Sequence, residues 1–307
     1  MARKRSGRDL HAVFLLDKPA GESSNRALQK VRRLLHARKA GHTGSLDPFA
    51  TGMLPICLGE ASKTAAFMLD ADKTYRAVAR LGAATETGDT EGEVCERGPV
   101  PELGRVAIDK VLQSFTGPID QIPPMYSALK HEGQPLYRLA RRGVEVAREP
   151  RRVTIHRLEC EHWDAPDLTF TVRCSKGTYI RTLAEDLGRA FGTCAFLVAL
   201  RRLAVDPFPG EAMHTLEALE SAVSDGREQA LLLPPDAGLS AWPVACLEGA
   251  SVERFLHGNP VPHPGAAGMA RVHGQDGRVL GLGEVRPDGR LHPRRVFVPP
   301  TDGLANP

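Results

Sequence analysis

A loop between two patterned segments constrains the fold of this chain most. Residues 41–52 read GHTGSLDPFATG and contain three glycines and Pro48. Glycine reaches backbone angles closed to other residues, and proline biases the residue before it, Asp47, away from the α region. The stretch therefore interrupts regular structure and displays one isolated carboxylate. Loops of this kind often carry function, although an ordinary surface turn has a similar composition.

The segments on either side of this loop have clear periods. Residues 24–35 place apolar side chains on one face of a helix, which Ser23 or Ser24 can cap and Gly41 can end. Residues 53–58 form a compact apolar run typical of a buried strand. A helix and a strand should therefore flank the loop.

Strand patterns recur along the chain. Residues 74–81 alternate between two faces, with Tyr75 near the start of the segment. Residues 82–101 are rich in glycine, threonine and acids and predict an irregular, mobile connection. Further strands are predicted at 12–16, 153–160, 168–174 and 194–205, the last interrupted at Arg201-Arg202, with helices at 102–115 and from Thr178.

The length predicts two domains. A chain of 307 residues exceeds the usual 100 to 200 residues per domain. An acidic helical region ends near a Pro- and Gly-containing stretch at 234–238, and short strands follow from about residue 241. We therefore expect a larger domain over 1–240 and a small β-barrel-like module over 241–307.

Charge is unevenly distributed. Residues 26–39 carry six basic side chains and no acid, and residues 130–157 carry eight against three acids. Residues 211–236, by contrast, carry six acids and one arginine. Together with a basic tail over residues 1–8, this is the electrostatic footprint of a protein that binds nucleic acid. Solvated helix faces without a partner would give a similar pattern in any single run.

An insertion between two predicted strands carries much of this charge. Residues 121–130 lack a clean period, and residues 137–152 are strongly basic. Within an arm over about 124–152, Arg141, Arg142 and Arg148 can contact a phosphate backbone. Tyr126 or Tyr137 can offer a ring to a base. We predict an RNA-binding arm, although a basic surface hairpin without a partner remains the alternative.

Several function classes lack residues to support them. The chain contains no HExxH, GxSxG or phosphate-binding loop, and its six cysteines are scattered without zinc-site spacing. We therefore expect no metal and no cofactor. No apolar run has the length of a membrane span or a signal peptide, which predicts a cytoplasmic protein. Asp47 can serve as a nucleophile or charge stabiliser at a sugar carbon, or only as a structural ion-pair partner.

The chain resembles the TruB family of tRNA pseudouridine synthases. The resemblance begins in the loop at 41–52 and continues through four further motifs in the same order. Ser45 and Phe49 are mild departures from the family pattern and concern local packing. The four motifs are LLDKP at 15–19, LPICLG at 54–59, IPPMYSALK at 122–130 and SKGTYIR at 175–181.

The resemblance implies an activity and a set of site residues. The implied activity is isomerisation of the T-loop uridine at tRNA position 55 to pseudouridine, after base flipping and without cofactor or metal. Asp47 resembles the catalytic carboxylate, Tyr75 the aromatic residue that stacks on the base, and Arg181 the cation beside the carboxylate. Tyr179 and Leu200 resemble pocket residues, and His42 the side chain near the flipped base.

The resemblance also implies the fold and the partner. The implied fold is α+β, a mixed and mainly antiparallel sheet flanked by helices, with the inserted RNA-binding arm and a C-terminal PUA domain. The implied partner is the T arm of tRNA, bound by a monomer. A non-catalytic RNA-binding protein or tRNA chaperone is the alternative, and a nucleoside hydrolase would require a second placed carboxylate.

Overall fold

The chain folds into two compact units. A computed structural model describes residues 7–208 and 213–298. The first unit contains Met1–Asp47, Gly52–Asp70 and Asp206–Pro307, and the second contains Pro48–Thr51 and Ala71–Val205. Most of the basic tail, and the start of the acidic region at 211–212, lie outside the described residues.

The elements alternate without a repeating order. In chain order the strands are β1 (Ala12–Lys18), β2 (Ala40–His42), β3 (Thr51–Leu58), β4 (Lys73–Leu81), β5 (Ala83–Thr85), β6 (Val94–Arg97), β7 (Gly117–Gln121), β8 (Lys130–His131), β9 (Gln134–Pro135), β10 (Arg151–Asp164), β11 (Asp167–Cys174), β12 (Ala195–Val205), β13 (Leu232–Leu233), β14 (Val244–Leu247), β15 (Val261–Pro262), β16 (Gly268–Gly274), β17 (Val279–Arg286) and β18 (Arg290–Val296). The α-helices are α1 (Ser24–Leu34), α2 (Ala65–Met68), α3 (Arg105–Ser114), α4 (Leu136–Ala140), α5 (Ile180–Ala190), α6 (Leu216–Ser224) and α7 (Ala250–Leu256).

The first unit buries one face of a small antiparallel sheet under two helices. Strand β1 pairs with β13 on one side and β3 on the other, and β2 pairs with β3. Phe14 and Ile56 from the sheet share a core with Val31 of α1 and Leu219 of α6. Burial of each such side chain contributes about 1.5 to 3 kcal/mol. The sheet and helix predictions on either side of the 41–52 loop are confirmed.

Helix α1 begins where the sequence predicted and ends earlier. Ser23 caps it, since the Ser23 hydroxyl accepts a hydrogen bond from the Arg26 amide at 3.3 Å. The helix ends at Leu34 rather than near Gly41, because His36 takes a left-handed backbone conformation with φ 49°. The prediction that Gly41 ends the helix is therefore wrong.

Five strands of the second unit pair antiparallel in the order β12-β4-β11-β10-β7. Strand β4 alternates between buried and more exposed residues along its whole length, as predicted. The arm predicted at 124–152 lies between β7 and β10 and contains the β8-β9 hairpin and α4. Leu136 and Leu139 of α4 are buried, so the helix has an apolar anchor.

Two predictions for this unit are wrong. Residues 82–101 are not simply an irregular connection, since β5 and β6 pair as a hairpin there and Asp89 is buried. Strand β12 is not interrupted at Arg201-Arg202, because both residues keep their pairing with β4. Arg202 is the largest fully buried side chain among the residues described. Apolar periodicity misses such a strand because it counts a buried arginine as exposed.

The C-terminal part of the first unit forms its own sheet. Five strands follow the order β14-β16-β17-β18-β15, with β14 parallel to β16 and the other pairs antiparallel. Helix α7 places Phe255 in the same core as Val272 and Leu291. The fold is α+β with a small β-rich C-terminal module, as predicted. Across residues 7–208 and 213–298, no helix is both long and apolar enough to cross a membrane.

Candidate active site

The backbone beside Asp47 is held by one buried hydroxyl. The Ser24 hydroxyl on α1 donates to the Leu46 carbonyl at 2.9 Å, and the Leu46 amide donates to the Ser24 hydroxyl at 2.7 Å. Leu46 is itself buried, whereas Asp47 is half-buried. Because the backbone amide and carbonyl of Leu46 both bond to a side chain of α1, the backbone at the next residue, Asp47, is held in place.

The start of the same loop is held by the sheet. His42 lies on β2 opposite Ile56 of β3 and is half-buried. The Thr43 amide donates to the Pro55 carbonyl at 3.2 Å. Gly44 follows with φ 87°, an angle that disfavours residues with a Cβ. The loop between His42 and Asp47 is therefore tied to β3 at one end and to α1 at the other.

Tyr75 and Leu200 lie on one face of the sheet in the second unit. Tyr75 on β4 pairs with Arg202 on β12, and Leu200 pairs with Ala77. Residues two apart on a strand share a face, so Tyr75 and Leu200 are diagonal neighbours, roughly 7 to 8 Å apart. Both are nearly buried. The sheet thus places an aromatic ring and an aliphatic side chain next to each other.

Arg181 is a buried arginine that joins three segments. Its Nη1 atom donates to the Thr87 carbonyl and its Nη2 atom to the Tyr126 carbonyl, both at 2.7 Å. The Asp89 carboxylate lies 3.5 Å from Nη1. The first turn of α5, the loop after β5 and the start of the arm therefore meet at one guanidinium. Its five donors in a rigid fork suit such a junction.

Asp89 is a site residue that the sequence prediction missed. Its side chain is 3% exposed and accepts hydrogen bonds from the Thr87 hydroxyl at 2.6 Å and the Glu91 amide at 2.9 Å. The Thr85 hydroxyl donates to the Asp89 carbonyl at 2.7 Å. Asp89 stands among several acids in a Gly- and Thr-rich stretch, so no local signal distinguishes it. A buried carboxylate needs such donors and a cation to remain charged.

Tyr179 is positioned through its backbone. It precedes α5, and its amide donates to the Gln121 side-chain oxygen at 3.0 Å while the Gln121 side-chain nitrogen donates to its carbonyl at 3.3 Å. Gln121 is 2% exposed at the end of β7 and was also missed by the sequence prediction. The Tyr179 side chain is half-buried. Because the Gln121 side-chain amide bonds both the amide and the carbonyl of Tyr179, it fixes the backbone of Tyr179 where the chain enters α5.

The three predicted RNA-backbone arginines differ in their surroundings. Arg141 is exposed, with its guanidinium carbon 5.7 Å from the centre of the Tyr137 ring. Arg142 is exposed and donates to the Gln134 side chain at 3.0 Å. Arg148 is more buried and donates to the Pro123 carbonyl at 3.2 Å and to Glu145 at 3.0 Å. Arg148 thus holds the two ends of the arm together.

The predicted site residues fall in both units. Asp47 and His42 belong to the first unit, whereas Tyr75, Tyr179, Arg181 and Leu200 belong to the second. Glu185 lies one helical turn after Arg181, and burial raises the pKa of its carboxyl group. Among the described residues no group of three or more His, Cys, Asp or Glu side chains could hold a metal ion.

Family models match most of the chain. Residues 32–180 match the TruB family pseudouridylate synthase N-terminal domain. Residues 181–240 match the tRNA pseudouridylate synthase B C-terminal domain, and residues 243–297 match the pseudouridine synthase II TruB C-terminal model. The first match includes the 41–52 loop and most of the second unit, up to residue 180.

Similar proteins cover nearly the whole chain. A tRNA pseudouridine synthase B of Pseudomonas putida (strain GB-1) is 52% identical in an alignment of 299 residues that covers 96% of this chain and 98% of that protein. The protein of the same name from Ectopseudomonas mendocina is 53% identical, over 96% of this chain and 97% of its own. Among solved structures, an archaeal box H/ACA sRNP Nop10-Cbf5 complex matches with a TM-score of 0.71 at 25% identity, covering 95% of this chain and 88% of that one.

Proposed function

This chain belongs to the TruB family of pseudouridine synthases, and from that membership we propose that its target uridine lies in the T loop of tRNA, at position 55. The enzyme isomerises uridine in tRNA to pseudouridine. The bond between sugar C1′ and base N1 breaks, and a bond between C1′ and C5 forms. The proton on C5 leaves and N1 gains one, so the reaction needs no net reactant.

We assign the catalytic carboxylate to Asp47. The observation that carries this assignment is the pair of hydrogen bonds between Ser24 and Leu46, which fixes the backbone immediately before Asp47. A carboxylate that acts at a sugar carbon must be held within a fraction of an ångström of its reacting geometry. Its ionised form either adds to the substrate or stabilises developing positive charge at the sugar.

We assign the base-holding surface to Tyr75 and Leu200. The target base must leave the stack of the T loop, because a carboxylate cannot reach a sugar carbon inside it. An aromatic face compensates for lost stacking by about 1 to 3 kcal/mol per base. The adjacent aliphatic side chain of Leu200 can hold the detached uracil while it turns from N1 to C5. We also assign Tyr179 and His42 to the binding of the target nucleotide.

We assign Arg181 the task of keeping Asp47 ionised. An arginine near a carboxylate favours the charged form of that carboxylate. The bonds of Arg181 to Thr87 and Tyr126 orient its guanidinium before substrate arrives, and Asp89 balances its charge in the buried environment. Removal of Asp89 should therefore change the position of the Arg181 guanidinium, and through Arg181 it should lower the rate of the reaction.

We assign RNA gripping to the arm and to the C-terminal module. Arg141 and Arg142 are exposed and suited to phosphate oxygens, while the bonds of Arg148 suit it to positioning the arm. The division into a catalytic domain over 1–240 and a PUA-like domain over 241–307 is supported by the break between the second and third matched models. We further propose that the enzyme is a monomer of the cytoplasm.

The central experiment measures tritium release. RNA labelled with tritium at uracil C5 is incubated with wild type, with Asp47→Asn and with Asp109→Asn, a control carboxylate exposed on α3. Wild type and the control should release tritium, and Asp47→Asn should release none while still binding RNA. Release by Asp47→Asn at the wild-type rate would refute the assignment of the carboxylate.

A second experiment tests the target site. A T-arm hairpin and an anticodon-arm hairpin, each labelled at every uracil, are compared at equal concentration. Tritium release confined to one uridine of the T-arm hairpin supports the proposed target, and equal release from both hairpins would refute it. Light scattering during size-exclusion chromatography measures the molar mass in solution and so tests the proposed monomer. Cell fractionation tests the proposed location in the cytoplasm.

A further inference from the structure

A basic pocket lies where α1 ends and β2 begins, and no assignment above uses it. It has a volume of about 760 Å³. Its lining includes the side chains of Arg32, Arg33, His36, Arg38 and Lys39, with Gly7 at one edge. We call it the α1–β2 pocket. Among the described residues, the only apolar side chains in its lining are those of Ala37 and Ala40, so this lining offers little to an apolar ligand.

The positive charge of the α1–β2 pocket is mostly unbalanced. Arg38 lies 3.4 Å from the Asp9 carboxylate and is partly neutralised. Within residues 7–208 and 213–298, Arg32, Arg33 and Lys39 have no acidic partner at ion-pair distance. Arg33 and Lys39 are exposed. Among the described residues the Arg33 side chain makes one hydrogen bond, from Nε to the Gln29 carbonyl at 3.2 Å, which does not use its terminal nitrogens.

The neighbouring basic side chains of α1 are arranged differently. Lys30 lies 2.9 Å and Arg26 3.8 Å from the carboxylate of Glu22, whose side chain is only 6% exposed. The single carboxylate of Glu22 therefore partly neutralises the beginning of the basic run at residues 26–39. The cations that can serve an external anion are concentrated at its end, in the α1–β2 pocket.

The floor of the pocket is built tightly from backbone. The Arg8 amide donates to the His36 carbonyl at 2.6 Å, and the Arg38 amide donates to the Arg8 carbonyl at 3.0 Å. A Cβ at Gly7 would lie 2.7 Å from the His36 carbonyl oxygen. Only glycine fits this approach. The pocket is therefore a defined concavity rather than a chance gap between flexible side chains.

His36 occupies a position that usually takes glycine. The His36 amide donates to the Arg33 carbonyl at 3.0 Å and the Ala37 amide to the Arg32 carbonyl at 2.9 Å, which is the Schellman pattern of a helix end. The residue at its left-handed position is commonly glycine because a Cβ is strained there. An exposed histidine at this strained position, facing the pocket, indicates that its side chain has a use.

Helix capping alone explains only part of this cluster. Basic residues in the last turn of a helix interact favourably with its dipole, which accounts for Arg32 and Arg33. It does not account for Lys39, which lies beyond the helix, nor for a histidine where glycine would relieve strain. It also does not account for the concavity.

We propose that the α1–β2 pocket binds phosphate groups of the tRNA backbone near the target nucleotide. Strand β2 leads from the pocket to His42, and three residues from Lys39 span roughly 10 Å at the rise of a strand. The closeness to the target rests on the function proposed for the 41–52 loop. The described lining is cationic and has no Asn, Gln, Asp or Glu side chain, and most contacts of such cations with nucleic acid are to phosphate oxygens, so we expect binding here to be independent of sequence.

The test removes two cations and measures binding to tRNA. Arg33→Gln with Lys39→Gln is compared with Arg105→Gln and Arg157→Gln, which removes the same charge from two exposed arginines elsewhere. The dissociation constant is measured between 0.05 and 0.4 M salt. Each lost phosphate contact should flatten the logarithmic salt slope by about 0.7 to 0.9 and weaken binding about five- to eightfold at 0.1 M salt. Single-turnover tritium release at saturating enzyme should be unchanged.

Three outcomes decide the proposal. A pocket double variant that matches the arginine control in affinity and slope overturns it. Thermal stabilisation of wild type by inorganic pyrophosphate, lost in the double variant while tRNA affinity is kept, also overturns it in favour of a small anion. Weaker tRNA binding with a flatter slope supports it. This holds even if tritium release maps to another uridine, so the proposed T-loop target can fail separately.

The His36→Gly variant provides an independent test of the pocket. If His36 only ends the helix, glycine should raise the melting temperature and leave tRNA affinity unchanged, and this outcome would remove His36 from the pocket's function. If the pocket binds phosphate through His36, glycine should keep or raise the melting temperature and still weaken tRNA binding. The variant thus separates structure from binding, because only the binding role predicts a loss of tRNA affinity.

Discussion

The buried pair of Asp89 and Arg181 offers the sharpest test of the site geometry. Asp89→Asn keeps the size of the side chain and leaves an oxygen that can accept from the Thr87 hydroxyl and the Glu91 amide. The substitution therefore removes the negative charge and replaces the oxygen that faces Arg181 by an amide nitrogen, which cannot accept a hydrogen bond. Arg181, 5% exposed in its side chain, then keeps its hydrogen bonds to the Thr87 and Tyr126 carbonyls but loses the charge of Asp89.

The expected cost follows from the desolvation of Arg181. Breaking a buried ion pair by removing one partner typically costs 3 to 5 kcal/mol, because the remaining charge is uncompensated. The carbonyl bonds of Arg181 offset part of this, so we expect about 3 kcal/mol. For a unit of this size, a loss of 1 kcal/mol lowers the melting temperature by about 2 to 4 °C, so the expected fall is roughly 6 to 12 °C.

Urea unfolding of wild type, Asp89→Asn, Arg181→Met and the double variant gives the coupling energy. The double variant should lose less than the sum of the two single variants, since removing both charges leaves no buried charge unpaired. Arg181→Met with Asp89 retained controls for the loss of arginine itself. A loss below about 0.5 kcal/mol for Asp89→Asn, with additive single effects, would refute the buried ion pair.

The remaining predictions concern single groups. Burial raises the pKa of Glu185 in the folded state, so folding becomes less favourable once the pH exceeds the pKa of this group in the unfolded chain. Glu185→Gln should therefore raise the melting temperature at pH 7.5, and this gain should fade as the pH falls to about 4.5. A gain that does not change with pH would contradict this. Ser24→Ala should lower the free energy of unfolding in urea by about 1 to 3 kcal/mol and slow single-turnover tritium release, because Leu46 loses both of its hydrogen bonds to Ser24. An unchanged rate of release would show that Ser24 does not position Asp47. Burial raises the pKa of Cys57 to about 12, so a thiol reagent at pH 8 should modify exposed Cys95 and leave Cys57 intact until unfolding, as mass spectrometry of the native protein would show; rapid labelling of native Cys57 would contradict its burial.

Local patterns predicted the elements, and distant partners determined the site. The alternation of residues 74–81 and the capping serine at 23 are written in a few adjacent residues, so both could be predicted. Arg181 and Asp89 are separated by 92 positions, and nothing near either residue marks the other as its partner. Buried Arg202 misled the strand prediction for the same reason, because its environment is created by the fold.

Charge counting along the sequence identifies a polyanion-binding protein without identifying which cations bind. In α1 the early cations Arg26 and Lys30 share one nearly buried carboxylate, Glu22, eight or fewer residues away. A cation already paired has less to gain from a phosphate, since that phosphate must replace an existing carboxylate and leave it buried without compensation. Arg33 and Lys39 carry no such cost, because no acid among the described residues lies at ion-pair distance from either. The free energy available for RNA therefore depends on the unpaired cations rather than on the total number, and the fold decides which these are.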